Sequence, residues 1–175
     1  MGETARLGAD GMAVHEAVHP PVSFDGFFER ERDPLYRALW LVTRNRFEAE
    51  ELTQEAFVRL LERWDRVSVM DDPRAYLFRT AMNAFRTSYC RALLAAKRTM
   101  KVLPADDTIT EIDERDAAVR ALARLSPRQR AAVVLTDMLG FGSEEAARML
   151  GIRASTLRMH ASRAHAALKE TMSRD

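Results

Sequence analysis

The segment SPRQRAAVVLTDMLGFGSEEAARMLGIRASTLRMHASRAHAAL, residues 126–168, decides the fold, because it encodes three consecutive helices joined by tight turns. At its start Ser126 can cap a helix, Pro127 suits the first helical position, and Gln129 can complete a capping box. This first helix is predicted to end near Leu139, since glycines follow it closely.

The next two helices follow after short turns. Ser143 is predicted to cap the second helix, and Gly151 is predicted to end it about two turns later. The third helix is predicted from about Ser155 to about Met172. Its inward face is formed by small and apolar residues at helical spacing, namely Leu157, Ala161, Ala164 and Leu168. This arrangement is typical of a helix-turn-helix, which places a helix in the major groove of DNA.

The opposite face of the third helix is rich in hydrogen-bond donors near its start. Such side chains contact phosphates and base edges. The candidate DNA-contacting residues are Arg153, Ser155, Thr156, Arg158, Met159, His160 and Arg163. Because protonation of His160 adds a donor and a charge, we expect DNA binding to weaken as the pH rises through its titration range. The alternative interpretation of residues 126–168 is a helical hairpin whose basic face is only solvated. The turn at Gly151 and the two predicted caps favour the DNA-binding helix-turn-helix.

Charge is distributed unevenly along the 175 residues, whose formal net charge is only +1. Residues 74–103 contain seven Lys or Arg and no Asp or Glu, and residues 120–175 contain ten Lys or Arg against five Asp or Glu. Local basic clusters of this kind release counterions from nucleic acid whatever the total charge. The charge pattern therefore indicates two separate nucleic-acid-binding segments.

The chemistry of an enzyme is not evident in the chain. With Cys90 as the single cysteine, an intramolecular disulfide and a Cys-rich zinc site are excluded, and no metal or other cofactor is predicted. The sequence contains no long apolar run and no signal peptide pattern. We therefore expect a non-enzymatic, cytoplasmic protein without membrane insertion.

The organisation is predicted to be all-α, with two small helical domains joined by a flexible acidic linker. Residues 1–22 form a leader that we expect to be disordered, because they contain few large apolar groups. We place the first domain at 23–101, the linker at 102–119 and the second domain at 120–175.

Apolar periodicity predicts three helices in the first domain, at about 23–47, 47–64 and 73–101. Pro34 is expected to interrupt the first helix or to begin it. The apolar stripe of the second helix is predicted to include Leu61.

The third of these helices combines arginines with aromatic residues. Cations can follow phosphates while aromatic faces accept stacked bases, as a single-stranded nucleic acid requires. Helical periodicity points Leu77 and Ala81 inward together with Phe78 or Phe85. The better exposed candidates are Tyr76, Asn83 and Tyr89. The alternative is that most of these aromatic residues belong to the core.

The second helix has a different polar face, made of Glu51, Gln54, Glu55, Arg59 and Glu62. Its acidic character suits a protein partner better than DNA. A solvated helix surface is the alternative, because charge runs on helices are usually solvated.

Together these segments resemble a bacterial sigma factor of the extracytoplasmic-function group of the sigma-70 family, which has only the second and fourth conserved sigma regions. The segment FEAEELTQEAFVRLLERWDRV (47–67) resembles the helix that binds core RNA polymerase. The segment DPRAYLFRTAMNAFR (72–86) resembles the part that melts and reads the −10 element. The region that binds the −35 element is matched by LARLSPRQRAAVVL (122–135), EEAARMLGI (144–152) and STLRMHASRA (155–164).

The resemblance implies a protein that binds core RNA polymerase and promoter DNA, directs initiation from −10 and −35 elements, and has an anti-sigma factor as a further partner. The residues implied to dock on polymerase are Glu51, Leu52, Gln54, Glu55 and Phe57. Those implied to hold the opened −10 strand, with bases flipped out of the stack, are Arg74, Tyr76, Arg79, Asn83, Arg86 and Arg91. The −35 element is assigned to the donor-rich residues 153–163.

Two alternatives remain from the residues alone. The first is an independent helix-turn-helix regulator, which would bind duplex DNA without polymerase and leave the 47–67 and 72–86 segments unexplained. The second is a sigma-derived protein that occupies polymerase but has lost promoter recognition, which the unusual Met159 and His160 keep open.

Overall fold

The structure is a computed structural model that describes residues 23–99 and 117–172, with side chains described within 23–95 and 118–171. The predicted leader and most of the predicted linker lie outside these residues. Within them the chain is helical, with no strand. The helices are α1 (Phe24–Thr43), α2 (Arg46–Leu61), α3 (Trp64–Val67), α4 (Pro73–Thr99), α5 (Ala117–Ala123), α6 (Pro127–Val133), α7 (Ser143–Leu150) and α8 (Ala154–Met172).

The first three long helices form the N-terminal half. Ser23 caps α1 by accepting a hydrogen bond from the backbone N–H of Gly26. Contrary to the sequence prediction, Pro34 does not interrupt α1, which continues for nine residues beyond it. Proline removes only one backbone N–H from the hydrogen bonds of the helix. Leu35 and Leu39, which follow Pro34 in the chain, are fully buried, and their packing stabilises the helix beyond the proline.

The second helix packs between α1 and α4. Its inward residues, Leu52, Ala56 and Leu60, are buried as the periodicity predicts. Leu61 is the exception, because its side chain is 55% exposed, and its assignment to the apolar stripe was wrong. Leu61 directly follows Leu60, so a rotation of about 100° per residue turns it away from the core.

The helix-turn-helix forms in the C-terminal half, and its capping follows the sequence closely. Ser126 and Gln129 make the predicted reciprocal capping box. The helix that they begin continues as one π-helical turn, Val134–Met138, and so ends close to the predicted Leu139. Gly151 ends α7 in the left-handed conformation, with φ of 63°.

The predicted cap at Ser143 was wrong by one residue. Gly142 has the extended conformation of an N-cap, and Ser143 is the first helical residue. The shift follows from Phe141, which is buried and donates its backbone N–H to the Leu135 carbonyl, so that the chain turns immediately after it.

The two halves pack against each other around a shared hydrophobic core, which the sequence does not predict. The core runs from residues of α1, α2 and α4 into α6, α7 and the start of α8. At the junction the rings of Phe78 on α4 and Phe141 in the turn before α7 lie 5.4 Å apart. The helix-turn-helix therefore rests directly on α4 and α1.

Candidate nucleic-acid and partner interfaces

The α8 face, defined as the seven candidate residues from Arg153 to Arg163, points away from the core. Arg153, Ser155, Arg158, Met159 and Arg163 are exposed, while Thr156 and His160 are half-buried. The inward side is held by Leu157 and Ala164, which are fully buried as predicted. The structure thus brings the predicted −35 residues together on one accessible, basic surface.

Within the α8 face His160 has an electrostatic environment that the sequence alone does not give. Partial burial and the nearby positive charges of Arg128 and Arg163 lower the pKa of His160 below its ordinary value of 6.5. The surroundings of His160 therefore disfavour its protonated form in the free protein.

We predict that promoter-DNA affinity rises as the pH falls through the titration range of His160, because DNA phosphates favour the protonated imidazole that burial, Arg128 and Arg163 disfavour in the free protein. Salt-matched binding titrations of the polymerase complex across pH 5.5–8 measure this. His160→Gln should remove the rise, whereas His165→Gln, which changes the histidine that pairs with Asp137, should retain it. An affinity that stays constant from pH 5.5 to 8, or a rise that His160→Gln retains, contradicts the prediction.

The six candidate −10 residues do not share one face of α4. Tyr76, Arg79 and Asn83 form an outward strip, which we call the α4 strip. The guanidinium of Arg79 lies 5.1 Å from the centre of the Tyr76 ring, and Arg63 donates to the Tyr76 hydroxyl at 3.3 Å. These contacts hold the Tyr76 ring in place beside the exposed Arg79. An aromatic ring next to a cation is suited to stacking on an unpaired base.

The other three arginines have different surroundings. Arg74 lies at the junction of the two halves, 5.1 Å from the Phe78 ring centre and 5.0 Å from that of Phe141, and forms an ion pair with Glu31 at 3.3 Å. Arg86 lies against Gly151, where a side chain would overlap its guanidinium. Arg91 borders a groove beside the acidic residues of α2.

Five residues of α2 were predicted to contact a partner protein, and in the structure three of them are exposed and two are buried. Glu51, Gln54 and Glu55 are exposed, whereas Leu52 and Phe57 are each only 4% exposed and pack in the core. The two buried residues can support the surface but present almost none of it to a partner.

The exposed side of α2 also contains apolar residues that the sequence analysis missed. Phe47, Val58 and Leu61 are 73%, 57% and 55% exposed. With Glu51, Gln54 and Glu55 they form one surface, which we call the α2 face, because the spacing of three or four residues returns to the same side of a helix. The sequence signal that could have identified them is a second set of apolar residues at helical spacing, on a side of α2 different from the buried stripe.

Beside the α2 face, α2 packs against α4 through a polar contact. The Ser88 hydroxyl donates to Glu48 at 3.1 Å. Burial raises the pKa of Glu48, the charge of Glu51 raises it further, and the Ser88 hydrogen bond partly offsets the effect. A groove of about 240 Å³ lies between α2 and α4, with Glu48, Glu51 and Glu55 on the α2 side and Arg91 on the α4 side.

Metal and membrane features are absent from the parts of the chain that the structure describes. In residues 23–99 and 117–172 no group of His, Cys, Asp or Glu side chains is placed to hold a metal ion. No helix in the same ranges has both the length and the apolar composition needed to cross a bilayer.

Comparison with known proteins gives the same division of the chain. Residues 27–93 match sigma-70 region 2, and residues 115–168 match sigma-70 region 4. The chain is 30% identical to the ECF RNA polymerase sigma factor SigM of Mycobacterium tuberculosis over 95% of its own length and 85% of that protein. It is 32% identical to an RNA polymerase sigma-E factor of Streptomyces avermitilis over 88% of each chain.

Solved structures support the fold. The sigma factor RpoE of Bartonella quintana, solved with the anti-sigma factor NepR, superposes with a TM-score of 0.68 at 22% identity, covering 87% of this chain and 98% of that one. CnrH, solved with the cytosolic domain of CnrY, superposes with a TM-score of 0.57 at 24% identity, covering 87% and 88%.

Both sigma regions therefore occur in the order and at the positions of the two helical halves, and the independent helix-turn-helix regulator is not favoured. Sigma factors are generally non-enzymatic regulatory proteins. The chain belongs to the sigma-70 family of RNA polymerase sigma factors, in its extracytoplasmic-function group.

Proposed function

We propose that this sigma factor docks on core RNA polymerase through the α2 face, holds the opened −10 strand with the α4 strip, and reads the −35 element with the α8 face. Promoter-specific transcription initiation by RNA polymerase is the function of its family. The assignment of the three faces is supported by their positions on separate exposed surfaces. Catalysis is left to the polymerase, and the site of action is the cytoplasm, where polymerase and promoter DNA meet.

The observation that carries the proposal is the composition of the α2 face. Exposed apolar side chains interspersed with carboxylates on one helix face are typical of a protein-binding surface. Within the described residues the side chains of Phe47, Val58 and Leu61 remain exposed. The α2 face therefore offers apolar area that a partner can bury.

The proposal is tested by adding the purified chain to core polymerase on templates whose start sites have been mapped after overproduction of the protein in cells. Transcripts from those starts should require both the chain and core polymerase. Failure of the full chain to direct any start-specific transcript would overturn the proposal.

We predict that Val58→Asp weakens binding to core polymerase at least about tenfold, because it places a charge on an apolar part of a surface that must be desolvated. Titration of labelled protein with core enzyme measures the affinity. Leu94→Asp is the matched control, since Leu94 is 58% exposed but lies on α4, outside the α2 face. Equal weakening by both substitutions would argue against the α2 face as the docking surface.

An anti-sigma factor is a further proposed partner. The supporting observation is that a similar fold, the sigma factor RpoE of Bartonella quintana, has been solved in complex with the anti-sigma factor NepR. Capture with the tagged full chain from its own cells should recover, besides polymerase, a protein that competes with core enzyme for it. Recovery of polymerase alone would count against this partner.

A further inference from the structure

A cavity of about 220 Å³ lies between α4, α6 and the turn that joins α7 to α8. Its walls include Arg86, Tyr89 and Cys90 on α4, Arg128 on α6 and Gly151 in the turn. None of the residues that line it belongs to the α2 face, the α4 strip or the α8 face. Ligand sites in proteins usually have volumes of about 300–1,000 Å³, so a cavity of this size suits a compact molecule.

Two arginines at this cavity have charges that no carboxylate compensates. Within the described residues neither Arg86 nor Arg128 forms an ion pair. The Arg86 guanidinium lies against Gly151, where any larger residue would place a side chain in its way. Partial burial lowers the pKa of His160, and the positive charge of Arg128 lowers it further. Two uncompensated guanidinium groups at one cavity favour an anionic occupant.

The α4 wall adds an aromatic surface to these charges. The rings of Phe85 and Tyr89 are stacked, with their centroids 5.9 Å apart and their planes inclined by 26°. Phe85 is buried and Tyr89 is half-buried, so the Tyr89 ring is the part of this stack that a ligand can contact. The Tyr89 hydroxyl makes no hydrogen bond to another described residue. A flat ring in the cavity can therefore pack on Tyr89 beside the two cations.

We propose that this cavity is a binding site for a small aromatic phosphate monoester, whose phosphate pairs with Arg86 and Arg128 and whose ring packs on Tyr89. A phosphate monoester carries a charge of about −1.5 to −2 at pH 7, which matches two guanidinium groups better than the single charge of a carboxylate does. Its oxygens also accept the paired hydrogen bonds that a guanidinium donates. The combination of charge, ring and small volume selects this class of ligand.

The site would connect a small molecule to promoter reading through one shared side chain. Arg86 belongs to the candidate −10 residues, so a ligand that pairs with it competes with the opened strand for the same guanidinium. This consequence rests on the proposed function. Binding of the ligand to the chain does not, because the cavity and its charges are properties of the protein alone.

Calorimetric titration of the full chain with phenyl phosphate tests the site, because this probe consists of one ring and one phosphate. One molecule should bind per chain, at least about tenfold more tightly than inorganic phosphate or phenol, each of which can make only part of the contacts. Absence of saturable binding would overturn the inference. Inorganic phosphate that binds as tightly as phenyl phosphate would overturn the aromatic part of the ligand assignment.

Arg128→Gln should weaken the binding of phenyl phosphate at least about tenfold, because it removes one of the two charge-assisted contacts. Arg148→Gln is the matched control, since Arg148 is also exposed and without an ion pair in the described residues, but lies on α7 outside the cavity. Equal weakening by both would indicate general electrostatic attraction and overturn the inference. Binding that survives Arg128→Gln but is lost when Arg158 and Arg163 are replaced would place the ligand on the α8 face and overturn it as well.

Cys90 locates the ligand directly, because it is the single cysteine of the chain and lies exposed at the cavity. Phenyl phosphate at about ten times its dissociation constant should slow alkylation of Cys90 by N-ethylmaleimide about tenfold, since only about one chain in eleven then has an empty cavity. Arg128→Gln should lose most of this protection at the same ligand concentration, and Arg148→Gln should keep it. An unchanged alkylation rate despite saturable binding would place the ligand elsewhere and overturn the inference. None of these measurements uses polymerase or promoter DNA, so their failure leaves the proposed function intact, and failure of start-specific transcription leaves this site intact.

Discussion

Replacing Arg158 and Arg163 together with alanine is expected to lower promoter-specific transcription roughly 30-fold or more, because each lost arginine contact to a base or phosphate costs about 1–3 kcal/mol. Both side chains are exposed on the α8 face, and neither forms an ion pair within the part of the chain that the structure describes. They are therefore available to DNA at little cost in stability.

The loss should depend on the promoter and on salt. Start-site-resolved transcription and footprinting of the polymerase complex at several salt concentrations measure it, and the salt dependence of binding should become shallower because fewer counterions are released. Core binding, which the α2 face is proposed to provide, should stay unchanged. Arg120→Ala with Arg124→Ala removes the same charge from exposed positions on and just after α5 and should leave transcription nearly intact.

This experiment also tests the second alternative, a sigma-derived protein that occupies polymerase without reading promoters, which the family matches do not favour. Such a protein would lose nothing when Arg158 and Arg163 are replaced, since its action would depend only on the α2 face. Unchanged transcript levels and start sites in the double variant would therefore support that alternative over promoter reading by α8.

The sequence predicts the local structure of this protein well, because helix caps and helix faces depend on residues that are close together in the chain. The capping box at Ser126 and Gln129, the left-handed Gly151 and the inward Leu157 are each determined by neighbours within one or two turns. The helix bounds follow from the same short-range rules, within a few residues.

The junction between the halves could not be predicted in this way. Arg130 donates a hydrogen bond to the carbonyl of Val42, 88 positions earlier. The periodicity of a helix does not indicate which of its basic residues will be buried against the end of a distant helix. The divided roles of the α4 arginines have a similar cause. Arg74 and Arg79 differ by about 140° around the helix, but the sequence does not say which side the helix-turn-helix will cover.

For the candidate site, charge and residue type could be predicted from the sequence, whereas the direction of each side chain required the structure. The α8 face was predictable because one strong apolar stripe fixes the opposite side. The α2 face was predicted only in part, since Leu52 and Phe57 fall on the core stripe while Phe47, Val58 and Leu61 lie on the outer side. Apolar residues on both sides of a helix cannot be assigned to core or partner without the tertiary packing.

Phe78→Ala is expected to lower the free energy of unfolding by about 3–5 kcal/mol, because it removes a fully buried ring and leaves a cavity at the junction of the two halves. Phe47→Ala deletes the same atoms from a side chain that is 73% exposed and should cost less than about 0.5 kcal/mol. Urea unfolding of the full chain, followed by circular dichroism, measures both values. Equal stability of the two alanine variants would contradict a core that runs through both halves.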